Sequence, residues 1–128
     1  MTSELRVDNL KGSTTGGSIN VLGEGTSATT NLQQGLCKAW AHTTQASSYV
    51  LDDSFNVASI ADAGAGKTTI NINNDMANAT YAVGGCCTQE SVVIASLAAG
   101  SFEGRSIAND GSLTDSTDFT VLVQGDLA

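Results

Sequence analysis

Side chains alternate with a period of two residues from Leu36 to the end of the chain. In the first such run Cys37, Ala39 and Ala41 share one face, and larger or polar residues share the other. This is the period of a β-strand, in which successive side chains point to opposite faces. Many short runs of this kind follow at regular spacing, and no helix of ordinary length is visible. The pattern predicts an all-β fold, a small β-sandwich or jelly-roll-like domain.

The string Gly66-Lys67-Thr68 is similar to the end of a phosphate-binding loop, whose full pattern is G-x-x-x-x-G-K-[ST]. The first glycine of that pattern would stand at position 61, where the chain has Ala61. A working loop also needs a helix directly after the lysine, because the free N–H groups of its first turn hold the phosphates. Here Thr68–Ile72 alternates and contains β-branched residues, which predicts a strand instead. The sequence therefore disfavours a nucleotide site.

A hairpin explains the residues around this string better. We predict Phe55–Ile60 as one short strand and Thr68–Ile72 as the next, joined by Asp62–Gly66. Glycine adopts positive φ at little cost, which tight hairpin loops require. Lys67 then lies at the solvent end of a strand.

Four further segments carry specific expectations. Ser91–Leu97 is expected as a more fully buried strand, and Phe119–Gln124 as the strand that closes the sheet. Asn109–Gly111 is a turn signal with an apolar residue on either side. Asn74–Asn78 is expected to form one helical turn.

Residues 1–34 differ in composition from the rest of the chain. Two short apolar segments, Leu5–Leu10 and Ile19–Leu22, are separated by a Gly/Ser/Thr stretch and followed by the polar stretch Gly23–Gln34. This is too little apolar surface for an independent core. We interpret residues 1–34 as an extended N-terminal arm that gains order by pairing with a neighbour, with a disordered leader as the alternative. The β-sandwich domain is then residues 35–128.

Composition limits the function classes. Only 14% of the residues are charged, so Ser, Thr, Asn and Gln cover the surface, which suits β-structure and assembled, particle-bound proteins. The net charge of −8 disfavours nucleic-acid binding, which needs a basic patch. No apolar run approaches the roughly 20 residues of a membrane span. Met1–Arg6 lacks the apolar core of a signal peptide, so export by a standard route is not expected.

The three cysteines are Cys37, Cys86 and Cys87. Neighbours on a strand point to opposite faces, and the chain offers only one imidazole, that of His42, so no metal site is expected. We expect the thiols to be buried small apolar groups. A disulfide from Cys37 to one of the pair is the alternative in an oxidising medium.

The other residues that bear chemistry form no recognisable catalytic pattern. His42 has no specific spacing to a partner, and the adjacent pair Asp52-Asp53 is expected to be solvated turn residues rather than an acid/base pair. Trp40, Tyr49 and Tyr81 have an alternation that favours core positions. We predict no catalytic, cofactor-binding or metal-binding residue.

Edge strands of this fold lack the usual protection against pairing with other chains. The sequence contains no proline and few lysines, which are two common edge blockers. A homo-oligomer is therefore expected, and small particle β-domains are often threefold.

Several blocks of the sequence together resemble a known group of proteins. Residues 3–9 are similar to an S-E-L-R-V-N leader, Lys38-Ala39-Trp40 matches a K-A-W strand, and residues 53–66 match a D-S-F-N-V-S-S-I-T-D-x-G-x-G hairpin. The remaining matches are Ile70–Ile72, Met76, Tyr81–Val83 and the ending Gly125–Ala128. On these blocks the chain resembles small structural proteins of tailed bacteriophages, especially phages of marine bacteria and cyanobacteria, and the distal domains of their fibre-like proteins.

Two positions depart from that family pattern. Ala41–Thr44 stands where family members usually carry aromatic or polar residues after K-A-W, and Lys67 stands where an acidic or neutral residue is usual. The second departure creates the apparent nucleotide motif. The resemblance implies a trimeric virion component with no catalytic residues to carry over.

Three functions compete on this sequence. The first is a capsid decoration, or cement, protein that binds over junctions between subunits of the major capsid protein and stabilises the head. The second is a tail-fibre or receptor-binding tip in contact with tail proteins. The third, an enzyme, lacks a nucleophile with a base in reach. We expect the first: a homotrimer on the outer surface of the virion, made in the host cytoplasm, without cofactor, nucleic-acid or membrane contact.

Overall fold

A computed structural model of the chain describes residues 4–23, 27–46, 48–89 and 91–128. The chain divides into two compact units, Met1–Leu36 and Cys37–Ala128. Ser3, at the start of the leader block, and residues 24–26 of the predicted polar stretch lie outside the described residues.

The first unit contains a two-stranded antiparallel sheet and one helical turn. Strand β1 (Asn20–Leu22) pairs with β2 (Thr29–Asn31), and helix α1 (Leu32–Gly35) follows directly. Asn31 caps this turn, because its side-chain oxygen accepts the Gln34 N–H at 3.2 Å, as asparagine commonly does at a helix start. The prediction of an arm over residues 1–34 stays a prediction.

The second unit is built from eight antiparallel strands in two four-stranded sheets. The front sheet has the order β4-β3-β10-β7, and the back sheet has the order β5-β6-β9-β8. The two sheets pack as a sandwich, which confirms the all-β fold class predicted from the two-residue period. The strands are β3 (Ala39–Thr44), β4 (Val50–Phe55), β5 (Val57–Asp62), β6 (Lys67–Ile72), β7 (Ala82–Cys87), β8 (Ser91–Ala98), β9 (Ser101–Ile107) and β10 (Phe119–Gln124).

The core lies between the inner faces of the two sheets. In β3, Ala39 and Ala41 are buried and Trp40 between them is half-exposed, as the alternation requires. Aliphatic side chains dominate the core, and a ring contact among the described residues is the T-shaped pair of Tyr81 and Phe102, 6.3 Å between centroids. The buried apolar set is Ala39, Ala41, Ile70, Ile72, Met76, Tyr81, Phe102, Phe119, Val121 and Val123.

One residue, Asn56, carries the chain from the front sheet to the back sheet. It separates β4 from β5 and has φ of 56°, a left-handed conformation that asparagine tolerates better than most residues. Its amide donates to the Lys38 and Asn74 carbonyls at 3.0 and 3.2 Å. Its side-chain oxygen accepts the Asn74 N–H at 2.8 Å. The prediction of one continuous strand over Phe55–Ile60 is therefore wrong, because the chain turns a corner inside it.

Two other segment predictions are corrected. Ser91–Leu97 is not fully buried, since Val93 and Leu97 are 41% and 38% exposed. It belongs to β8, which is an edge strand and has only one partner, β9. Asn74–Asn78 forms no helical turn; instead Met76 is buried and makes an isolated antiparallel bridge to Leu127.

The predicted hairpin and turn are confirmed. β5 and β6 pair antiparallel around the loop 63–66. Around Asn109–Gly111, Ile107 pairs with Leu113, and Gly111 has φ of 82°. β10 occupies the predicted residues, but it lies in the middle of the front sheet, between β3 and β7.

Candidate functional site

The outer face of the front sheet carries a row of apolar side chains that crosses its strands. Phe55 of β4 pairs with Trp40 of β3, Trp40 pairs with Leu122 of β10, and Leu122 pairs with Gly84 of β7. We call these four residues the front row. Phe55 and Leu122 are 55% and 53% exposed, and Trp40 is half-exposed. Directly opposed residues lie within about 5.5 Å of each other between Cβ atoms, so the row is contiguous.

The next row along the same face is polar. Asp53, His42, Thr120 and Cys86 are successive partners across the four strands. The His42 ring nitrogen Nε2 lies 3.2 Å from an oxygen of Asp118. Polar groups therefore border the apolar row on one side, which is the usual anatomy of a surface that binds another molecule.

The front row was not predicted from the sequence, although its signal was present. Trp40 was expected in the core, yet the alternation that buries Ala39 and Ala41 directs Trp40 outward. Tyr49 is likewise only half-buried, and Tyr81 alone of the three predicted core aromatics is in the core. Strand pairing, which the sequence does not give, brings Phe55 and Leu122 next to Trp40.

The Gly-Lys-Thr loop has the geometry of a closed hairpin. The Gly64 N–H donates to Asp62 at 2.7 Å, and the Gly66 N–H donates to Asp115 at 2.6 Å. Two carboxylates thus occupy the N–H groups that a phosphate would need, and their negative charge repels a phosphate. Lys67 begins strand β6 rather than a helix. This arrangement agrees with the predicted hairpin and not with a phosphate-binding loop.

A cavity of about 310 Å³ lies beside this hairpin, lined by Gln45, Ser48, Tyr49, Asp62 and Asp115. The Tyr49 hydroxyl is shared between the Gly64 carbonyl at 3.0 Å and the Asp115 carboxylate at 3.1 Å. Burial, and then the hydrogen bond to Asp115, raises the pKa of Tyr49 well above its ordinary value. The hydroxyl therefore stays protonated at neutral pH and serves as a structural donor.

The three cysteines are free thiols, and their environments differ. Cys86 is exposed, so the expectation that it is buried is wrong; Cys37 and Cys87 are half-buried. The Cys37 thiol lies 3.5 Å from the Val123 carbonyl, whereas Cys86 pairs with Thr120. Three residues of strand separate these points, about 10 Å, which is too far for a disulfide without backbone movement.

The other candidate residues have few reactive side chains next to them. Asp52 and Asp53 lie in strand β4 and not in a turn; Thr44 donates to Asp52 at 3.0 Å. Lys67 is opposite Arg105 in the sheet register. Within the ranges that the structure describes, no group of three His, Cys, Asp or Glu side chains is placed to hold a metal ion.

Comparisons of this chain with protein-family models, with curated proteins and with solved structures find no match. Among the described residues, no helix has the length and apolar character needed to cross a membrane. The resemblance to phage structural proteins stays a prediction.

Proposed function

We propose that this chain is a non-enzymatic structural protein of a tailed bacteriophage, a capsid decoration protein that binds the outer surface of the head over junctions between subunits of the major capsid protein. The observation that supports this most is the front row. Phe55 and Leu122 are exposed on the outer sheet face, and the half-buried Trp40 between them completes an apolar band. Bands of aromatic and leucine side chains of this kind are typical of protein contact surfaces.

The first unit supplies a second apolar surface. Leu5, Val7 and Leu10 are 75%, 55% and 53% exposed. In a decoration protein such a segment binds a neighbouring copy of the chain while the sandwich covers the junction. A contact of about 1,600 Å² suffices for specific binding, and repetition over three chains of a homotrimer adds avidity without new contacts. The resulting contacts oppose the outward pressure of packaged DNA.

A tail-fibre or receptor-binding tip is the second candidate. Trp40 and Phe55 are direct neighbours on the outer sheet face, where Phe55 is exposed and Trp40 is half-buried, and adjacent aromatic rings on a surface can stack on sugar rings. In that function the front row would contact a glycan of the host surface rather than a capsid subunit. The two functions differ in copy number: hundreds of copies per particle indicate decoration, and a dozen or fewer indicate a tail position.

Binding of purified protein to undecorated phage heads tests the proposal. Leu122→Asp places a charge in the middle of the front row, and we expect it to weaken head binding at least about tenfold. Val93→Asp is the matched control, because Val93 is an apolar residue of the back-sheet edge with 41% exposure. Circular dichroism establishes that both variants fold. Equal binding of the two folded variants would contradict the role of the front row.

A further inference from the structure

The four edge strands of the sandwich are not equally protected against pairing. β4, β5 and β8 each carry a register shift against their single partner: Asp52 is the extra residue in β4, and Ala58 in β5. In β8 the shift accompanies Ser96, which has φ of 52°. Bulges of this kind twist an edge away from a regular ladder and are a common defence against edge-to-edge pairing.

Strand β7 has no such defence. All six of its residues pair with β10 in unbroken register, and its sequence Ala-Val-Gly-Gly-Cys-Cys contains no charge. Its outward residues are small: Ala82, Gly84 and Cys86 are exposed. A Cβ added at Gly84 would meet nothing within 4 Å. The exposed Leu122 lies beside Gly84. The regular, open edge of β7 therefore has an apolar side chain next to the space left by Gly84.

The chain itself contains a segment that suits this edge. Residues 4–11 are exposed and belong to no strand. Arg6 makes two hydrogen bonds to the Glu4 carboxylate, at 2.7 and 3.2 Å, which places these two side chains on one face. Leu5 and Val7 then share the opposite face, as in a β-strand. The segment thus has the side-chain alternation of an amphipathic strand, although it lies in none of the described strands.

We propose that residues 4–10 of one copy of this chain add to strand β7 of a second copy as a fifth strand of the front sheet. Leu5 and Val7 lie over Gly84 and beside Leu122, which extends the front row. Main-chain hydrogen bonds give affinity and the small outward residues of β7 give room, as in other cases of strand addition. That the donor is a neighbouring copy rests on the proposed assembly function; the edge and the segment are assigned by the structure.

Self-association of the free protein provides the first test, measured by sedimentation equilibrium without phage particles. Gly84→Lys places a charged side chain at the edge, in open space, and we expect at least a tenfold increase in the Kd of self-association. Ala58→Lys is the matched control on the bulged edge β5, and we expect its Kd to equal that of the wild type. A wild-type protein that is monomeric throughout, or a Gly84→Lys variant that associates normally, would overturn the proposal.

Cys86 allows the contact to be located directly, because it is exposed on the outward face of β7. Cysteines introduced by Leu5→Cys or Val7→Cys are expected to form a disulfide with Cys86 under mild oxidation, and those from Arg6→Cys or Asp8→Cys are not. Adding Cys86→Ser abolishes the link. Mixing two copies of different mass identifies the donor, since the inference requires disulfides between the two masses. Links only within one chain, or equal linking from both faces, would refute it.

The self-association and head-binding measurements distinguish failure of the strand addition from failure of the decoration function. If free copies do not exchange the segment but heads still bind the protein through the front row, the strand addition is wrong and the decoration function stands. If copies exchange the segment but the protein does not bind heads, the decoration function is wrong.

Discussion

The Tyr49 hydroxyl and the Gly66 N–H meet at one oxygen of Asp115, at 3.1 and 2.6 Å. This carboxylate therefore joins three loops at one end of the sandwich: the β3–β4 connection, the β5–β6 hairpin and the connection from β9 to β10. In the sequence the Gly-Lys-Thr string is similar to a ligand site. In the fold its Gly66 N–H binds Asp115, so the string holds neighbouring loops together.

We expect both tyrosines of the chain to lose their hydroxyl protons at a higher pH in the native protein than in the unfolded one. Burial is the largest cause that raises the pKa of Tyr49 and of Tyr81. A raised pKa contributes stability that is fully present below the unfolded pKa of about 10 and is lost as pH rises through the native value. We expect tyrosinate absorbance at pH 10.5 to be weak in native protein and strong in urea. Tyr49→Phe should reduce the loss of unfolding free energy between pH 9 and 11; an unchanged loss would contradict this assignment.

Gly66 should be far less replaceable than Gly64. Both have positive φ, 66° and 110°, so alanine at either costs about 1 kcal/mol in strain. At Gly66 an added Cβ would also lie 2.6 Å from the Thr114 nitrogen and 2.7 Å from the Ser106 oxygen, whereas at Gly64 it meets nothing. We expect Gly66→Ala to lower the unfolding free energy by about 3 kcal/mol or more, measured by urea denaturation. Similar losses for the two variants would contradict this packing.

Nucleotides should not bind the hairpin. Asp62 and Asp115 hold the Gly64 and Gly66 N–H groups, so a triphosphate would have to displace two carboxylates. We expect millimolar Mg-ATP to leave the melting temperature unchanged. We also expect Lys67→Ala to leave the rate of ATP hydrolysis unchanged. An ATPase activity abolished by Lys67→Ala would refute the structural reading of this loop.

We expect position 56 to require asparagine both for its left-handed backbone conformation and for its side-chain hydrogen bonds. Asn56→Gly keeps the left-handed backbone but removes the bonds to Lys38 and Asn74, for an expected loss of about 1–3 kcal/mol. Asn56→Ala should lose about 1 kcal/mol more, because alanine also resists positive φ. Denaturant midpoints of the two variants measure the difference, and a more stable alanine variant would show that the corner is not held as described.

The sequence predicts the fold class well because the two-residue period is a local signal. The β5–β6 hairpin and the turn at Asn109–Gly111 are equally local, and both are confirmed. The corner at Asn56 was missed because its cause lies in Lys38 and Asn74, which are 18 residues away on either side. No pattern within Phe55–Ile60 reports those partners.

The candidate site was less predictable than the fold. Alternation favours a core position for Trp40, but alternation alone does not say which of the two faces of a strand is the core. The front row exists because β10 returns to lie between β3 and β7 and brings Leu122 beside Trp40. Whether an edge strand is bulged, which distinguishes β7 from the other edges, is likewise a property of pairing.

The middle position of β10 also determines the order in which the front sheet can fold. Phe119 pairs with Thr43 in register and accepts a hydrogen bond from it across 76 intervening steps of chain. Until β10 emerges from the ribosome, the β3–β4 pair and β7 have no strand between them, and each presents an open edge. Pairing over such long sequence separation is slow to form. The front sheet is therefore completed only after β10 has been synthesised, and nascent chains with open edges are the stage most exposed to aggregation.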